Sequence, residues 1–578
     1  GAQERISEQI AVSRANHKFI IMVDQNTLRR EFKSKSKKTR AANLLKKTLP
    51  IIKWLPKYSF AILVQDFIAG IIVGLTAIPQ GIAYAVIAGL SPEYGLYAGL
   101  MGGFVYTVFG SCKDITIGPT AILSAMLAKY VSNYSTDIAV LATFLVGVFQ
   151  LLHGIFRMGF LLDFISIPVI SGFTTAAALH IAAGQLKSLF GLAGSSGNYF
   201  AQSIYNFAIN IKTARLWDTV LGFVTIALLV LLKRVGQGCS RTDGIFKSSR
   251  WFISLARNAV VVVIGIIVAY VLKITTDSEP VKLIGEIGSG LPTFQIPPFS
   301  TSVVLPLVAI LESIAIAKVF TVGTPVDVNQ EMIALGLCNM VASCASSMPI
   351  TGSFTRTPLN NAAGVKTPAG GIFTGLLIIL ALCLMTPIFY YIPKATLAGL
   401  IITAMYYMID YMIFCRLWKN SKRELNVTIS TIFMCSIKGL EYGIVAGILT
   451  DAAMLMYINS RPKIETNMIK NEKGDIILVT LADNYYCAAE FIRKTVLKSC
   501  FIEGNKTMIV IDGTNLENMD STVASNLMLL VKDLEIYSRK IIFWNFNSDL
   551  QKMCLDLSPK YAKNFVTTAK VEDIVDNY

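Results

Sequence analysis

Two glycine- and proline-rich stretches hold the residue types from which an ion site can be built. The first reads Asp114-Ile-Thr-Ile-Gly-Pro-Thr120-Ala-Ile-Leu, the second Met348-Pro-Ile-Thr-Gly-Ser353-Phe-Thr355-Arg356-Thr-Pro358. Each leads into an apolar segment too short to cross a bilayer, about 119–131 and 354–364. In the first, alternating Ile and Thr reads as a short extended stretch, Gly118 permits a turn, and Pro119 suits a first helical position. In the second, Gly352 permits the turn and Ser353 or Thr355 can cap a helix. Each would aim a helix N-terminus, with free N–H groups and about half a positive charge, at the middle of a membrane. Two such ends facing each other make an anion site without covalent chemistry. The competing reading is a pair of kinks packed against neighbours, since irregular backbone at that depth must be buried or line a wet cavity.

Other side chains bear on the same place. A charge at the midplane costs at least ~2.5–3.5 kcal/mol, so Arg356 needs either an anion or an ion pair with a buried carboxylate. Glu312, inside VVLPLVAILESIAIAKVF, is the candidate carboxylate. It reads either as a proton relay, which would offset the charge of a divalent anion, or as a partner for Arg356 or Lys318. Gln80 and Tyr84 lie four apart and share a helix face, so an amide and a phenol can line one cavity, although such pairs also arise as ordinary packing.

The elements that must position these residues are membrane spans. Of 578 residues, 53% are apolar and 15% charged, against roughly 25% charged in average proteins, which excludes an ordinary soluble enzyme. A span needs ~20 apolar residues. Such stretches recur at about 61–89, 94–109, 138–155, 158–187, 215–233, 255–273, 301–321, 329–346, 369–390, 394–412, 424–437 and 441–458. With the two short segments these twelve make fourteen, seven plus seven, and short interrupted segments in matching halves point to a transporter site.

The net charge is +15. Residues 1–60 carry +10, residues 61–460 carry +6 and residues 461–578 carry −1, which divides the chain into a basic head, an apolar middle and a balanced tail. The head abuts a span, so its charge reads as a cytosolic flank under the positive-inside rule, able to touch anionic lipid, and not as a nucleic-acid arm. With a cytosolic N-terminus, alternation puts Arg241, Lys247, Arg250 and Arg257 after the sixth segment in the cytosol, with Arg416, Lys419, Lys422 and Arg423 after the twelfth. The same alternation puts the sequon at Asn133 outside, open to glycosylation, and leaves Asn426 and Asn505 at or behind the cytosolic face. The first apolar helix begins past residue 60, so no cleavable signal peptide is expected, and Gly1 in place of Met points to a trimmed start or tag. Ten cysteines without a CxxC pair and three scattered histidines (His17, His153, His180) give no metal site, and no Walker-type loop is present. No cofactor is expected.

The tail alternates strands and helices: DIILVTLAD, a helix near 485–500, TMIVIDGT, a helix at 521–537, KIIFWNF, and a weak helix near 549–555. This βαβα order predicts a parallel sheet with helices on it. Asp520-Ser521-Thr522 opens a helix, where Ser521 or Thr522 reads as a cap or as a phosphorylation site.

PQGIAYAVIAGLSPEYGLYAGL (79–100) and GSCKDITIGPTAILS (110–124) resemble the signature of the sulfate permease (SulP) anion transporters. SGFTTAAALHIAAGQLKSLFG (171–191) and GSFTRTPLNNAAGVKTPAGG (352–371) fit the same family, and IVIDGTNLENMDSTVASNLMLLVKDL (509–534) is similar to its cytosolic STAS domain. The likeness covers about 60–578 and is nearest to the animal sodium-independent sulfate anion transporter branch. It implies a membrane α-helical fold of fourteen segments in a 7+7 inverted repeat with two half-helices, plus a cytosolic α/β STAS domain. It implies core and gate parts moving as an elevator, and a homodimer formed through STAS and N-terminal segments. On matching positions the anion site uses Gln80, Tyr84, Thr120, Ser353, Phe354, Thr355 and Arg356. Glu312 resembles the proton-coupled sulfate members, and Phe354-Thr355 departs from the Leu-Ser pair of the motor protein prestin. The expected function is secondary-active transport of sulfate or related anions (chloride, bicarbonate, oxalate), proton-coupled, with an exchanger, an uncoupled chloride channel or a prestin-like motor as alternatives. The membrane is the plasma or the lysosomal one, with both termini cytosolic.

Overall fold

A computed structural model of the chain describes residues 48–133, 135–160, 165–194, 196–197, 199–236, 245–276, 280–288, 290–292, 294–295, 327–353, 355–461, 464–469, 476–481, 484–485, 489–502 and 508–568. Glu312, Lys318 and Phe354, and with them the segment expected at 301–321 and most of the basic head, lie outside the described residues. The chain divides into two compact units between Gly447 and Ile448.

The first unit is helical. Its described elements are α1 (Phe60–Ala88), α2 (Pro92–Phe109), β1 (Ile117–Gly118), α3 (Ala121–Asn133), α4 (Asp137–Ile155), α5 (Ile167–Leu189), α6 (Phe200–Asn210), α7 (Leu216–Val235), α8 (Ile245–Leu255) and α9 (Arg257–Thr276). Then come α10 (Val328–Cys344), β2 (Thr351–Gly352), α11 (Arg356–Ala362), α12 (Gly370–Leu380), α13 (Lys394–Met408), α14 (Tyr411–Asn420), α15 (Lys422–Lys438) and α16 (Leu440–Asn459), whose residues from Ile448 on count to the second unit. A π-helical turn, Ala381–Met385, carries α12 on to Phe389. Among the described residues seven helices are long and apolar enough to cross a membrane. The expected spans at α2, α10, α15 and α16 form helices outside that set. In α10, Gln330, Glu331, Asn339 and Ser343 are buried, so its polarity meets protein and not lipid. The span expected from 158 starts instead at Ile167, with Pro168 in the first turn, where a missing N–H costs nothing.

Two helix groups emerge from the packing. One joins α1, α2, α4, α10 and α12 with the half-helices α3 and α11, and the other joins α5, α7, α9, α13 and α15. Helix α1 starts at Ser59, whose hydroxyl accepts from the Ile62 N–H, and stops at Gly89 with φ 74°. Its contact with α2 is backbone on backbone: a Cβ on Gly95 would run into the Gly81 carbonyl oxygen. Gly95→Ala must therefore part the two helices. The expected result is a lower melting temperature of the purified protein, from overpacking of about 1–3 kcal/mol or more.

The tail holds a five-stranded sheet in the order β3-β4-β6-β8-β9, formed by β3 (Glu465–Ile469), β4 (Ile476–Thr480), β6 (Met508–Asp512), β8 (Ile541–Trp544) and β9 (Phe565–Val566). β4, β6, β8 and β9 run parallel and β3 is antiparallel to β4. Two residues of β5 (Asn484–Tyr485) pair with β7 (Asn518–Met519). Helices α17 (Ala489–Ile502), α18 (Ser521–Ile536) and α19 (Ser548–Leu557) follow the strands, and Val523, Leu527, Leu530 and Leu534 of α18 pack on Ile509, Ile511 and Phe543. The cap of α18 is Asp520, which accepts from the Val523 N–H at 2.7 Å, and not Ser521 or Thr522. A carboxylate also complements the positive helix end better than a hydroxyl does.

Candidate anion site

The two lead-ins meet. β1 and β2 pair antiparallel, with Ile117 opposite Gly352 and Gly118 opposite Thr351. The Ser353 N–H donates to the Thr116 carbonyl at 2.9 Å, and the Thr116 N–H donates to Thr357 Oγ1 at 3.3 Å. Two buried asparagines hold the strands in place. Asn339 of α10 bonds both the N–H and the carbonyl of Ile350, at 2.9 and 2.8 Å, and Asn360 donates to the Asp114 carbonyl at 3.1 Å. The half-helices α3 and α11 then start on either side of this crossing.

Thr120 caps α3: its carbonyl accepts the Ser124 N–H at 3.0 Å and its hydroxyl accepts the Leu123 N–H at 3.5 Å. That leaves the Ala121 and Ile122 amides, the first of the helix, without an intrahelical acceptor. Pro119 lies ahead of the helix and not at its first position. On the other side, Ser353 takes the capping role for α11, its hydroxyl accepting the Arg356 N–H at 3.3 Å and its carbonyl the Thr357 N–H at 3.0 Å. Thr355 sits at the helix boundary without a capping bond of its own. α11 has only seven residues, so here the side chain of Arg356 carries more of the positive potential than the helix end.

Arg356 is 1% exposed. Its Nη2 donates to the Pro119 carbonyl at 2.9 Å and its Nη1 to Gln80 Oε1 at 3.4 Å, while Nε has no acceptor among the described residues. It makes no ion pair with any described carboxylate. Gly118 matters for a reason the sequence hid, because a Cβ there would meet Arg356 Nη2 at 2.7 Å. Gln80 and Tyr84 do share the face of α1 that meets Arg356, and Tyr84 lies beside Arg356 and Thr355. Pro79, inside α1, withholds an N–H from the turn just before Gln80.

Next to this cluster lies a cavity of about 260 Å³ between the two helix groups, lined by Thr76, Gln80, Thr355, Leu400, Thr403 and Tyr407. It far exceeds the 10–15 Å³ or so that one water needs. The Thr76 hydroxyl is buried without a partner among the described residues, and Lys233 and Arg257 also line the cavity, the Lys233 ammonium 3.1 Å from the centre of the Tyr407 ring. Sequence reasoning missed Thr76, Lys233, Arg257 and Tyr407, since nothing local sets them apart from span-end residues. It also missed Glu331, a buried carboxylate that accepts from the Ser111 N–H at 2.8 Å and the Tyr106 hydroxyl at 2.7 Å. Those bonds tie down the loop after α2 and give Glu331 a structural task. Asn133 ends α3 in an exposed position.

Arg356 thus lies buried, with no carboxylate partner among the described residues, where α3 and α11 begin inside a bundle of long apolar helices. The solved structure of the murine Solute Carrier 26 family member A9 anion transporter in the inward-facing state shares this fold, with a TM-score of 0.80 over 94% of this chain and 96% of that one at 20% identity. Similarity in sequence narrows the class. The sulfate permease family matches residues 63–431. The chain is 38% identical to the sodium-independent sulfate anion transporter of Bos taurus over 560 residues, 91% of each protein, and 29% identical to sulfate transporter 3.1 of Arabidopsis thaliana over 571 residues, 90% and 85% of the two. It is also 33% identical to a probable sulfate permease of Schizosaccharomyces pombe, spanning 51% of that longer relative. The chain belongs to the sulfate permease family, and with it to the membrane transporters and not the enzymes.

Proposed function

We propose that this protein moves sulfate and related oxyanions across its membrane by secondary-active transport. The observation that carries the reading is Arg356: fully buried, with its Nε lacking an acceptor and no carboxylate in reach among the described residues. A buried guanidinium without a counter-charge is costly, and a bound anion supplies that charge. Gln80, Tyr84, Thr120, Ser353 and Thr355 would surround the anion, and the resemblance adds Phe354 to them. Motion would be of the elevator type: the group with α1, α3 and α11 carries the site past the group with α5, α7 and α13, within a 7+7 inverted repeat. The tail would be a cytosolic STAS domain that joins two chains into a homodimer together with the N-terminal segment. Both termini would be cytosolic and Asn133 glycosylated on the opposite face, at a plasma or lysosomal membrane.

Glu312 would carry the coupling proton. Radiolabelled sulfate uptake into proteoliposomes tests both parts. An acid outside medium is expected to stimulate uptake by the wild type, because protonated Glu312 lets the loaded carrier cross with less net charge. Glu312→Gln, fixed in the neutral form, is expected to retain uptake and lose its pH dependence. A pH-independent chloride current without sulfate flux would instead establish the channel or motor alternative, and uptake that needs a counter-anion inside would establish exchange.

A further inference from the structure

A second cavity, about 440 Å³, lies at the Asn133 end of the bundle, away from Lys233 and Arg257. Its charged lining comes from separate segments: Lys129 of α3, Lys187 of α5, Lys282 of the stretch after α9, and Lys394 at the start of α13, with the imidazole of His180 as a further polar group. No Asp or Glu among the described residues lines it.

The backbone holds these ammonium groups together. The Lys394 N–H donates to the Lys282 carbonyl at 2.9 Å, next to a bridge between Leu283 and Pro393. Lys282 Nζ reaches across to the carbonyls of Gly191 and Leu192 at 2.8 and 2.9 Å, just past the end of α5, where Lys187 stands. Burial, and then the charge of Arg215, Lys187 and Lys394, push the Lys282 ammonium down from its ordinary range, with Asp218 the one opposing carboxylate among the described residues. Asp218 Oδ1 accepts the Lys282 backbone N–H at 3.1 Å, so this carboxylate sits against the Lys282 backbone, and Asp218 is not among the residues that line the cavity. Lys129 stands 5.9 and 6.0 Å from the ring centres of Tyr130 and Tyr199. Half-buried like charges repel one another unless an anion joins them. Clefts lined by one sign of charge raise the local concentration of the opposite ion.

We propose that this cavity is a second anion-binding site, which captures inorganic divalent oxyanions and feeds them to Arg356. It rests on the transport reading for its purpose, though not for its ability to bind. The test uses full-length protein and radiolabelled sulfate in two measurements. In proteoliposomes with sulfate supplied at the Asn133 face, Lys187→Gln/Lys394→Gln is expected to raise the KM about ten-fold with the maximal rate kept. Inert salt at high ionic strength should shrink that difference, because it screens exposed charge, and Lys187→Arg/Lys394→Arg should restore the wild-type KM. In detergent, Arg356→Gln protein is expected to keep a weak, salt-sensitive sulfate site that disappears when both lysines are also replaced.

An unchanged KM in a well-reconstituted double variant overturns the proposal. Should that variant not reconstitute, absence of residual binding to Arg356→Gln protein overturns it equally. If wild-type protein transports no sulfate while the residual site persists, the transport reading fails and this binding site stands.

Discussion

Arg356→Gln is expected to lower the initial rate of sulfate uptake about 30- to 3,000-fold at fixed low substrate, with protein that still elutes as a single species. Truncating one partner of a buried, hydrogen-bonded charge pair costs about 2–5 kcal/mol, and each 1.4 kcal/mol or so is a factor of ten. Gln keeps a donor for Gln80 or the Pro119 carbonyl, so the two bonds that Arg356 makes without substrate, at 3.4 and 2.9 Å, are partly replaced. What vanishes is the charge. Arg356→Lys is expected to fare little better, since a point charge on a flexible stem cannot hold Pro119 and Gln80 while presenting a third N–H to the anion. Binding can be read without transport. Sulfate at about 100 times its Kd should stabilise the wild type by about 2.7 kcal/mol and raise the Gln variant's melting temperature far less, by no more than binding at the weaker lysine-lined cavity supplies. Without sulfate the variant should melt no earlier than the wild type, because a buried, unpaired charge has been removed. Uptake within a factor of three of wild type would sink the assignment.

The lead-ins themselves were legible in the sequence because their signals are local. Ile-Thr alternation, a Gly-Pro pair and a Gly-Ser pair are punctuation that a span does not tolerate. What was hidden is everything that depends on distant partners. Ser353 and Thr355 were equivalent as caps on paper, and Ser353 takes the bonds because the β1–β2 pairing, at Ile117 with Gly352, fixes its backbone first. Asn339 and Asn360 looked like ordinary polar residues, yet they satisfy strand backbone 11 and 246 residues away. Helices α6, α8 and α14 were absent from the reading, since ten or eleven residues with mixed polarity carry too little periodicity to stand out against long spans. In the tail, the buried parallel strands announced themselves as Ile/Val runs. Edge strand β3 did not, because Glu465, Thr466, Asn467 and Met468 are all exposed.

Gly118→Ala should leave the fold intact and cost about 100-fold in uptake. The new Cβ would lie 2.7 Å from Arg356 Nη2 and 3.4 Å from Cζ, with Gly99 Cα next at 3.7 Å. The backbone cannot retreat, because Gly118 is paired with Thr351 in the crossing. The guanidinium is the far end of a flexible side chain, so it gives way first and leaves the Pro119 carbonyl. Stability therefore changes little, and the site moves by about an ångström, a misplacement that can cost about 10² in rate. The double variant separates this account from a general disturbance of the crossing. Gly118→Ala acts through Arg356, so adding it to Arg356→Gln should lower uptake no further than Arg356→Gln alone, the non-additivity expected of residues sharing one function. Additive losses, or a melting temperature that falls with Gly118→Ala, would mean that the glycine serves strand packing and not the position of the charge.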